Sequence, residues 1–178
     1  MNTKIIAFFG GSGSGKSTLA SLVFSTLKIA GKSAELNTEY AKHLVWTERK
    51  KDFARQVYIH AKQLYGIECL LGKVEYVISD SPPLLSVFYH DGSYGTQFDQ
   101  FVIENYRRLN TINFFVKRVH PFIEKERNEN EGLSDKIADS VLKGLQFLNI
   151  PFLEINGDKS ELPKILAYIN ENNNSGQS

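Results

Sequence analysis

The sequence predicts an α/β fold of three layers, a five-stranded parallel sheet with helices on both faces. Three observations carry that expectation. Five short apolar runs alternate with segments of helical period along the 178 residues. The first run, Lys4 to Phe9, is continuously apolar rather than alternating, as a strand covered on both faces must be. Between it and the first helical segment stands Gly10-Gly11-Ser12-Gly13-Ser14-Gly15-Lys16-Ser17, which fits G-x-x-x-x-G-K-[ST] with a strand before it and a helix after it.

That octapeptide is a phosphate-binding loop by its chemistry. Glycines let the main chain curl so that successive N–H groups point inward, and the helix that follows adds its positive end at the same spot. Gly11, Ser12, Gly13, Ser14, Gly15, Lys16, Ser17 and Thr18 are the expected nucleotide contacts. Lys16 reaches the β- and γ-phosphates of ATP and Ser17 holds Mg²⁺. The fold class is therefore a P-loop NTPase fold.

The elements follow in order. Thr18 to Ala30 reads as the first helix, ended by Gly31. Ser33 to Asn37 is a short second strand, so Glu39 just beyond it faces the ligand crevice at the carboxyl edge of the sheet or serves as a helix N-terminal charge. From Asp52 to Leu71, Phe53, Val57, Ala61, Leu64, Ile67 and Leu71 recur near helical spacing, which places Arg55, Gln56, His60 and Gln63 on solvated faces. His60 has no ligand cluster around it, which argues against a metal role. Val74 to Asp80 is a strand ending in an acid, as a Walker B element does, and Asp80 is the second expected Mg²⁺ contact because hard cations take oxygen ligands. Pro82 and Pro83 stop that strand and shape a rigid turn, after which a helix begins at Leu84. Asp91 to Thr96 is a loop rich in small residues.

Asp99 to Asn110 is the next helix, with Phe101, Val102, Tyr106 and Leu109 inward, and Thr111 to Lys117 is a strand. The charge-dense stretch from Arg118 to Gly132 reads as a lid, with Arg118 and Arg127 as the arginines that close over transferring phosphates. Ser134 caps a helix reaching Leu148. Phe152 to Ile155 is the last strand, and Asn156 and Asp158 beyond it border the nucleotide base. Leu162 to Ile169 closes the fold.

Composition bounds the function. With 42% hydrophobic and 23% charged residues, residues 1–169 make one domain, and 170–178 a polar, disordered tail. A net charge of +1 does not call for a nucleic-acid coat or a membrane surface. The single Cys69 precludes an intrachain disulfide and a multi-cysteine zinc site. No leader and no transmembrane run are read, so a cytoplasmic location is expected. Motors and helicases need further domains or a basic track to couple hydrolysis to work. A small kinase needs only a nucleotide site, an acceptor site and a lid.

The phosphate loop, Glu39-Tyr40-Ala41-Lys42, the Phe53 to Leu71 helix, Tyr76-Val77-Ile78-Ser79-Asp80-Ser81 and the arginine-bearing segment after Lys117 together resemble the nicotinamide riboside kinase domain of the NadR family and its NadR-like ATPase/kinase relatives. Many of those relatives are encoded by bacteriophages, which would place this chain in a host cytoplasm. The resemblance covers residues 3–169 and implies ATP-dependent phosphorylation of a hydroxyl on a nucleoside-like acceptor. It puts Lys16 and Ser17 at phosphate and Mg²⁺, Asp80 at the metal or the acceptor hydroxyl, and Glu39 on the acceptor side. The family's Asp-Thr-Asp stands here as Asp80-Ser81-Pro82, and Pro82-Pro83 with the glycines of 91–95 gives the acceptor pocket a different shape, pointing away from nicotinamide riboside itself.

The expected function is thus a nucleoside or nucleotide kinase, with Asp80 or Glu39 as the base. Two other readings accompany it. The hydroxyl can belong to a modified base or an end within DNA, with Lys42, Arg49, Lys50, Lys51 and Arg55 contacting phosphates beside Tyr40 and Trp46. Or the chain is a nucleotide-dependent regulatory ATPase with no acceptor.

Overall fold

Five apolar residues in succession, Ile5 to Phe9, are each 0% exposed, so strand β1 (Lys4–Phe9) is the axis of the sheet. The computed structural model describes residues 2–48, 52, 55–122 and 130–174. Helix α1 (Lys16–Ile29) returns to β2 (Ala34–Asn37), and helices α2 (Tyr40–Trp46) and α3 (Gln56–Glu68) lead to β3 (Tyr76–Ser79). A 3-10 turn over Pro83–Leu85 opens into α4 (Ser86–Tyr89), then α5 (Gly95–Arg107) and β4 (Thr111–Lys117). Helix α6 (Glu131–Phe147), β5 (Leu153–Asn156) and α7 (Leu162–Asn174) complete the chain.

The strands are parallel throughout, in the order β2-β3-β1-β4-β5. The order turns at β1, so the crevice outside the carboxyl ends of the strands opens where the phosphate loop leaves that strand. Alternation along β1 feeds two cores. Ile5, Ala7 and Phe9 join α3, α5 and α6 through Ile67, Val102, Tyr106, Val141 and Leu145. Ile6 and Phe8 join α1 and α7 through Leu19, Val23, Ile165 and Ile169. Both faces are apolar because both are covered.

The expected five parallel strands and the alternation of helices are present, with end shifts of a few residues. Larger differences have identifiable causes. Helix α5 starts at Gly95 because Asp91 Oδ1 accepts from the Ser93 amide at 3.0 Å and His90 meets Asp99 at 2.7 Å, which turns the 91–94 loop into the helix early. Phe101, expected inward, is 56% exposed. The buried phase is Phe98, Val102 and Tyr106, four residues apart. Helix α6 starts at Glu131 rather than at a Ser134 cap: Asn130 Oδ1 accepts from the Leu133 amide at 2.9 Å, and an asparagine there caps the turn at least as well as a serine. Helix α7 continues through Asn174, well into the stretch read as a tail. Asn173 Nδ2 donates to the Tyr76 hydroxyl at 2.8 Å and the Asn172 carbonyl accepts from Lys4 Nζ, which tie that end to β3 and β1. Among the described residues no helix is long and apolar enough to cross a membrane.

Candidate active site

The loop after β1 has the geometry of an anion cradle. Gly10, Gly13 and Gly15 have φ of 136°, 74° and 98°. At Gly10 glycine is obligatory, since a Cβ there would lie 2.5 Å from the Val116 carbonyl oxygen. Gly15 is the N-cap of α1 and the first turn of that helix carries no acid, so its leading amides keep their positive end for a ligand. The Lys16 ammonium donates to the carbonyls of Gly10 at 2.9 Å and Gly11 at 2.8 Å, across the mouth of the loop. Ser17 and Thr18 are exposed at the start of α1, where an anion and its counter-ion have access.

Two neighbours brace the loop, and sequence reasoning passed over both. Ser134 Oγ donates to the Ser12 carbonyl at 2.9 Å, and a Cβ on Gly11 would meet the Ser134 carbonyl oxygen at 2.6 Å, so the first turn of α6 leans on the loop. Gly157 presses from the β5 side: its amide donates to the Lys117 carbonyl at 2.8 Å, and a Cβ on it would fall 1.7 Å from the Ser14 carbonyl oxygen. Gly157 stands between the two base-bordering candidates. Their side chains turn to the 3-10 turn Lys159–Glu161 instead. Asn156 Nδ2 donates to Glu161 Oε1 at 2.9 Å, and Asp158 Oδ1 accepts from the Ser160 amide at 2.8 Å, which holds that carboxyl below its ordinary value. A glycine at the carboxyl end of the last strand was the signal available for the contact.

Asp80 follows β3 and is 4% exposed, with Oδ1 buried and without a hydrogen-bond partner among the described residues. A buried bare carboxylate oxygen beside a phosphate loop fits a divalent cation, as does the exposed Ser17 hydroxyl. No three His, Cys, Asp or Glu among the described residues form a metal cage, and Mg²⁺ shared with phosphates and water needs none.

Glu39 is half-buried at the N-terminus of α2. Behind it the Tyr40 and Tyr58 hydroxyls lie 2.7 Å apart, with Lys62 Nζ within 6 Å of both rings. The largest departure from expectation concerns α3. Val57 is 47% exposed, whereas Gln56, His60 and Gln63, assigned to solvent, are 6%, 2% and 2% exposed. The buried positions are Gln56, Ile59, His60, Gln63 and Ile67, so three polar side chains face inward, with Gln63 at the ends of β2 and β3. His60 Nδ1 meets the Pro83 carbonyl at 3.2 Å, which requires Nδ1 to carry the proton; Nε2 is buried without a partner, and the ring packs edge-on to Phe98 and Phe101. Burial lowers the His60 pKa and keeps the ring neutral.

Arg118 is held by carboxylates of α6. It pairs with Asp135 and with Glu131 at 3.4 Å, and its guanidinium stands 5.0 Å from the Phe122 ring centre. It shares a cleft of about 260 Å³ with the loop, lined among others by Ser12, Ser14, Ser134 and Asp139. Arg127 lies outside the described residues, as do Arg49, Lys50, Lys51 and Phe53. Lys42 and Trp46 are exposed on α2, and Arg55 is paired with Asp52 at 3.4 Å.

Comparison with solved structures places this architecture. Deoxyadenosine kinase from M. mycoides, with its products dCMP and a flexible dCDP bound, superposes with a TM-score of 0.57 at 18% identity, covering 94% of this chain and 99% of that one. The same kinase with bound dATP gives 0.56 at 19% identity, over 93% and 99%. At that identity the likeness establishes the fold, a kinase-like P-loop α/β architecture. No curated protein sequence matches significantly. A family model described as AAA domain (AAA_28) matches residues 5–161, from the first strand to the turn before α7. The chain belongs to that AAA domain family.

Proposed function

We propose that the chain is an ATP-dependent phosphotransferase acting on a hydroxyl of a nucleoside, nucleotide or nucleoside-like acceptor. The observation that carries the reading is the polar inner face of α3, which Gln63 brings to the carboxyl ends of β2 and β3, the same edge of the sheet from which the phosphate loop leaves β1. A nucleotide switch needs the loop and a Walker B acid, but it has no use for a helix that buries Gln56, His60 and Gln63 in place of apolar residues. The fold shared with deoxyadenosine kinase and the resemblance to NadR-like kinases support the same class.

In this reading the loop amides, the N-terminus of α1 and Lys16 neutralise the β- and γ-phosphates. Ser17 and Asp80 would hold Mg²⁺, which when bound would offset charge on the phosphates. The acceptor oxygen attacks the γ-phosphorus in line and the bond to the β-bridging oxygen breaks, so ADP leaves. Glu39 or Asp80 takes the acceptor proton. The exclusion of water falls to the segment beyond β4, and Arg118 reaches a phosphate only after leaving Asp135 and Glu131.

A DNA-borne hydroxyl is the second reading, favoured by the exposed Trp46 and Lys42 on α2. One experiment separates the readings: transfer of labelled γ-phosphate from MgATP to nucleosides including deoxyadenosine, nucleoside monophosphates, nicotinamide riboside, and plain or hydroxymethylated DNA. Label on a small molecule that vanishes in Lys16→Ala supports the metabolite kinase, and label on DNA supports the second reading. Release of free phosphate alone, unchanged by every acceptor, refutes both.

A further inference from the structure

The geometry points to Gln63 as a positioning residue that sets the two candidate carboxylates, Glu39 and Asp80, in register with each other; the inference rests on the phosphotransfer reading above. Its side chain is 2% exposed and lies where the ends of β2 and β3 meet α3. With the amide assigned the orientation that Thr38, Tyr40 and Ser81 require, which gives up a 3.5 Å approach of Asn37 Nδ2 to its oxygen, Nε2 donates to the Thr38 carbonyl at 3.2 Å. Oε1 accepts from the Tyr40 amide at 3.0 Å and from Ser81 Oγ at 3.1 Å. Thr38 and Tyr40 are the residues on either side of Glu39, and Ser81 directly follows Asp80. One side chain therefore fastens both flanks of one acid and the adjoining residue of the other.

The amide itself is anchored. The Gln63 carbonyl accepts from Asn37 Nδ2 at 3.2 Å, and Asn37 stands opposite Ser79 in the parallel pairing of β2 with β3. One turn further along, a Cβ on Gly66 would lie 2.3 Å from Asn37 Oδ1, so the glycine lets α3 seat directly on that asparagine. The helix cannot slide along the strand ends without breaking this contact.

The chemistry requires an amide. Thr38 offers an acceptor, while Tyr40 and Ser81 offer donors, and only a group with a donor arm and an acceptor arm answers both. Glutamate would set an oxygen against the Thr38 carbonyl and add a third negative charge to the two being positioned. Leucine would remove the bond that Oε1 offers the Tyr40 amide. That amide belongs to the first turn of α2, whose N-cap residue Glu39 makes no side-chain capping bond. Gln63 caps the helix from a distance, and Glu39 is not committed to that task.

Three variants separate the bonds. Gln63→Leu removes all of them, Gln63→Glu removes the donor to Thr38, and Ser81→Ala removes the tie to the Asp80 side alone. Hydrogen exchange by NMR reads the clamp without any acceptor: the Tyr40 amide should exchange about tenfold faster in Gln63→Leu, the loss expected for one hydrogen bond, and within threefold of native in Ser81→Ala. Steady-state transfer from MgATP, with deoxyadenosine as the first acceptor probe and otherwise the acceptor the panel identifies, reads the consequence. Turnover should fall about 100-fold in Gln63→Leu and also drop in Ser81→Ala and Gln63→Glu, with the KM for ATP within threefold of native, because the phosphate loop is untouched. Unchanged Tyr40 exchange in Gln63→Leu, or a loss that appears wholly in the KM for ATP, overturns the proposal. If the native chain phosphorylates nothing in the panel, the phosphotransfer reading fails and the exchange rates alone still decide the clamp. If Gln63→Leu does not fold, Ser81→Ala and Gln63→Glu decide it through the same turnover and KM comparison.

Discussion

Replacing Gly157 by alanine tests whether the loop after β5 sets the shape of the phosphate cradle. The added Cβ would lie 1.7 Å from the Ser14 carbonyl oxygen, 2.8 Å from its carbonyl carbon and 3.2 Å from the Lys117 carbonyl oxygen. Contacts under 3.0 Å are essentially never observed, and the opposing atoms are backbone on both sides, so the two loops must part by about 1.3 Å, the difference between 3.0 and 1.7 Å. Forced repacking of this kind costs about 1–3 kcal/mol, and at this chain length each kcal/mol lowers Tm by roughly 2–4 °C. The displaced Ser14 peptide leads straight into Gly15 and the first amides of α1. Losing one or two charge-assisted hydrogen bonds to phosphate, at about 1.5–3 kcal/mol each, weakens MgATP binding by about 100-fold. The assay is a thermal shift. Nucleotide at 100 times the native Kd stabilises native protein by about 2.7 kcal/mol, and the same concentration stabilises the variant by only about 0.4 kcal/mol. Gly132→Ala is the control, because a Cβ there meets nothing nearer than 3.9 Å, and it should keep the whole nucleotide shift. A Gly157→Ala protein that also keeps the whole shift refutes the reasoning.

Three further outcomes are expected. Asp80→Asn should lower turnover far more than ATP affinity if Asp80 takes the acceptor proton, and lower both together if it acts through Mg²⁺; titration of MgATP against initial rate separates the two. The His60 pKa is lower in the folded state, so the unfolded chain binds more protons as pH falls through its unfolded value of about 6.5. Stability is then fully present above that pH and declines toward pH 5, and urea melts between pH 5 and 8 should show a slope that His60→Gln lacks, clear of the carboxyls of Glu75, Asp91 and Asp158, whose lowered values place their window below the ordinary carboxyl values of 4.5 for Glu75 and 3.8 for the two aspartates. A chain ending at residue 169 should be less stable than the full chain by about 1–3 kcal/mol in denaturant melts, because the ties of Asn172 and Asn173 to Lys4 and Tyr76 go with the last turn of α7.

The strands and the phosphate loop were legible because each rests on a local rule. A strand covered on both faces must be apolar at every position, and Ile5 to Phe9 is. A phosphate loop must have glycines where φ is positive, and Gly10, Gly13 and Gly15 are there. What escaped was set by contacts between distant segments. Gly157 reads locally as a turn glycine, and only the approach of Ser14 from the other end of the chain makes it a wall of the cradle. Ser134 reads as a cap because serine before an apolar run is a cap signal, yet Asn130 caps the helix and Ser134 is turned to the Ser12 carbonyl. Arg118 reads as a lid residue from its place after β4, and its pairing with two carboxylates on the first turns of α6 is a contact that no local rule reports.

Helix α3 shows why periodicity misplaces a functional face. Val57, Ala61 and Leu64 recur at helical spacing, and a rule that buries the more apolar stripe selects them. In the fold Val57 and Ala61 are exposed and Leu64 is half-buried, Ile67 is buried as that rule expects, and Gln56, His60 and Gln63 take inner positions. The arrangement is costly for stability alone. Buried polar atoms without partners cost about 1–3 kcal/mol each, and His60 Nε2, Ser79 Oγ, Asp80 Oδ1, Ser14 Oγ and Arg118 Nη1 all have this character among the described residues. Together they approach the whole net stability of an ordinary domain, about 5–15 kcal/mol. The five belong to the phosphate loop, the end of β3, the inner face of α3 and the cleft that Arg118 shares with the loop. Folding gains nothing from that concentration, whereas a site that must desolvate a phosphate, a cation and an acceptor hydroxyl needs unanswered polar atoms in that place. A helix whose polar stripe faces inward at the carboxyl edge of a parallel sheet is therefore itself a signal of a binding face, and it becomes visible only after the sheet has fixed which way the helix is turned.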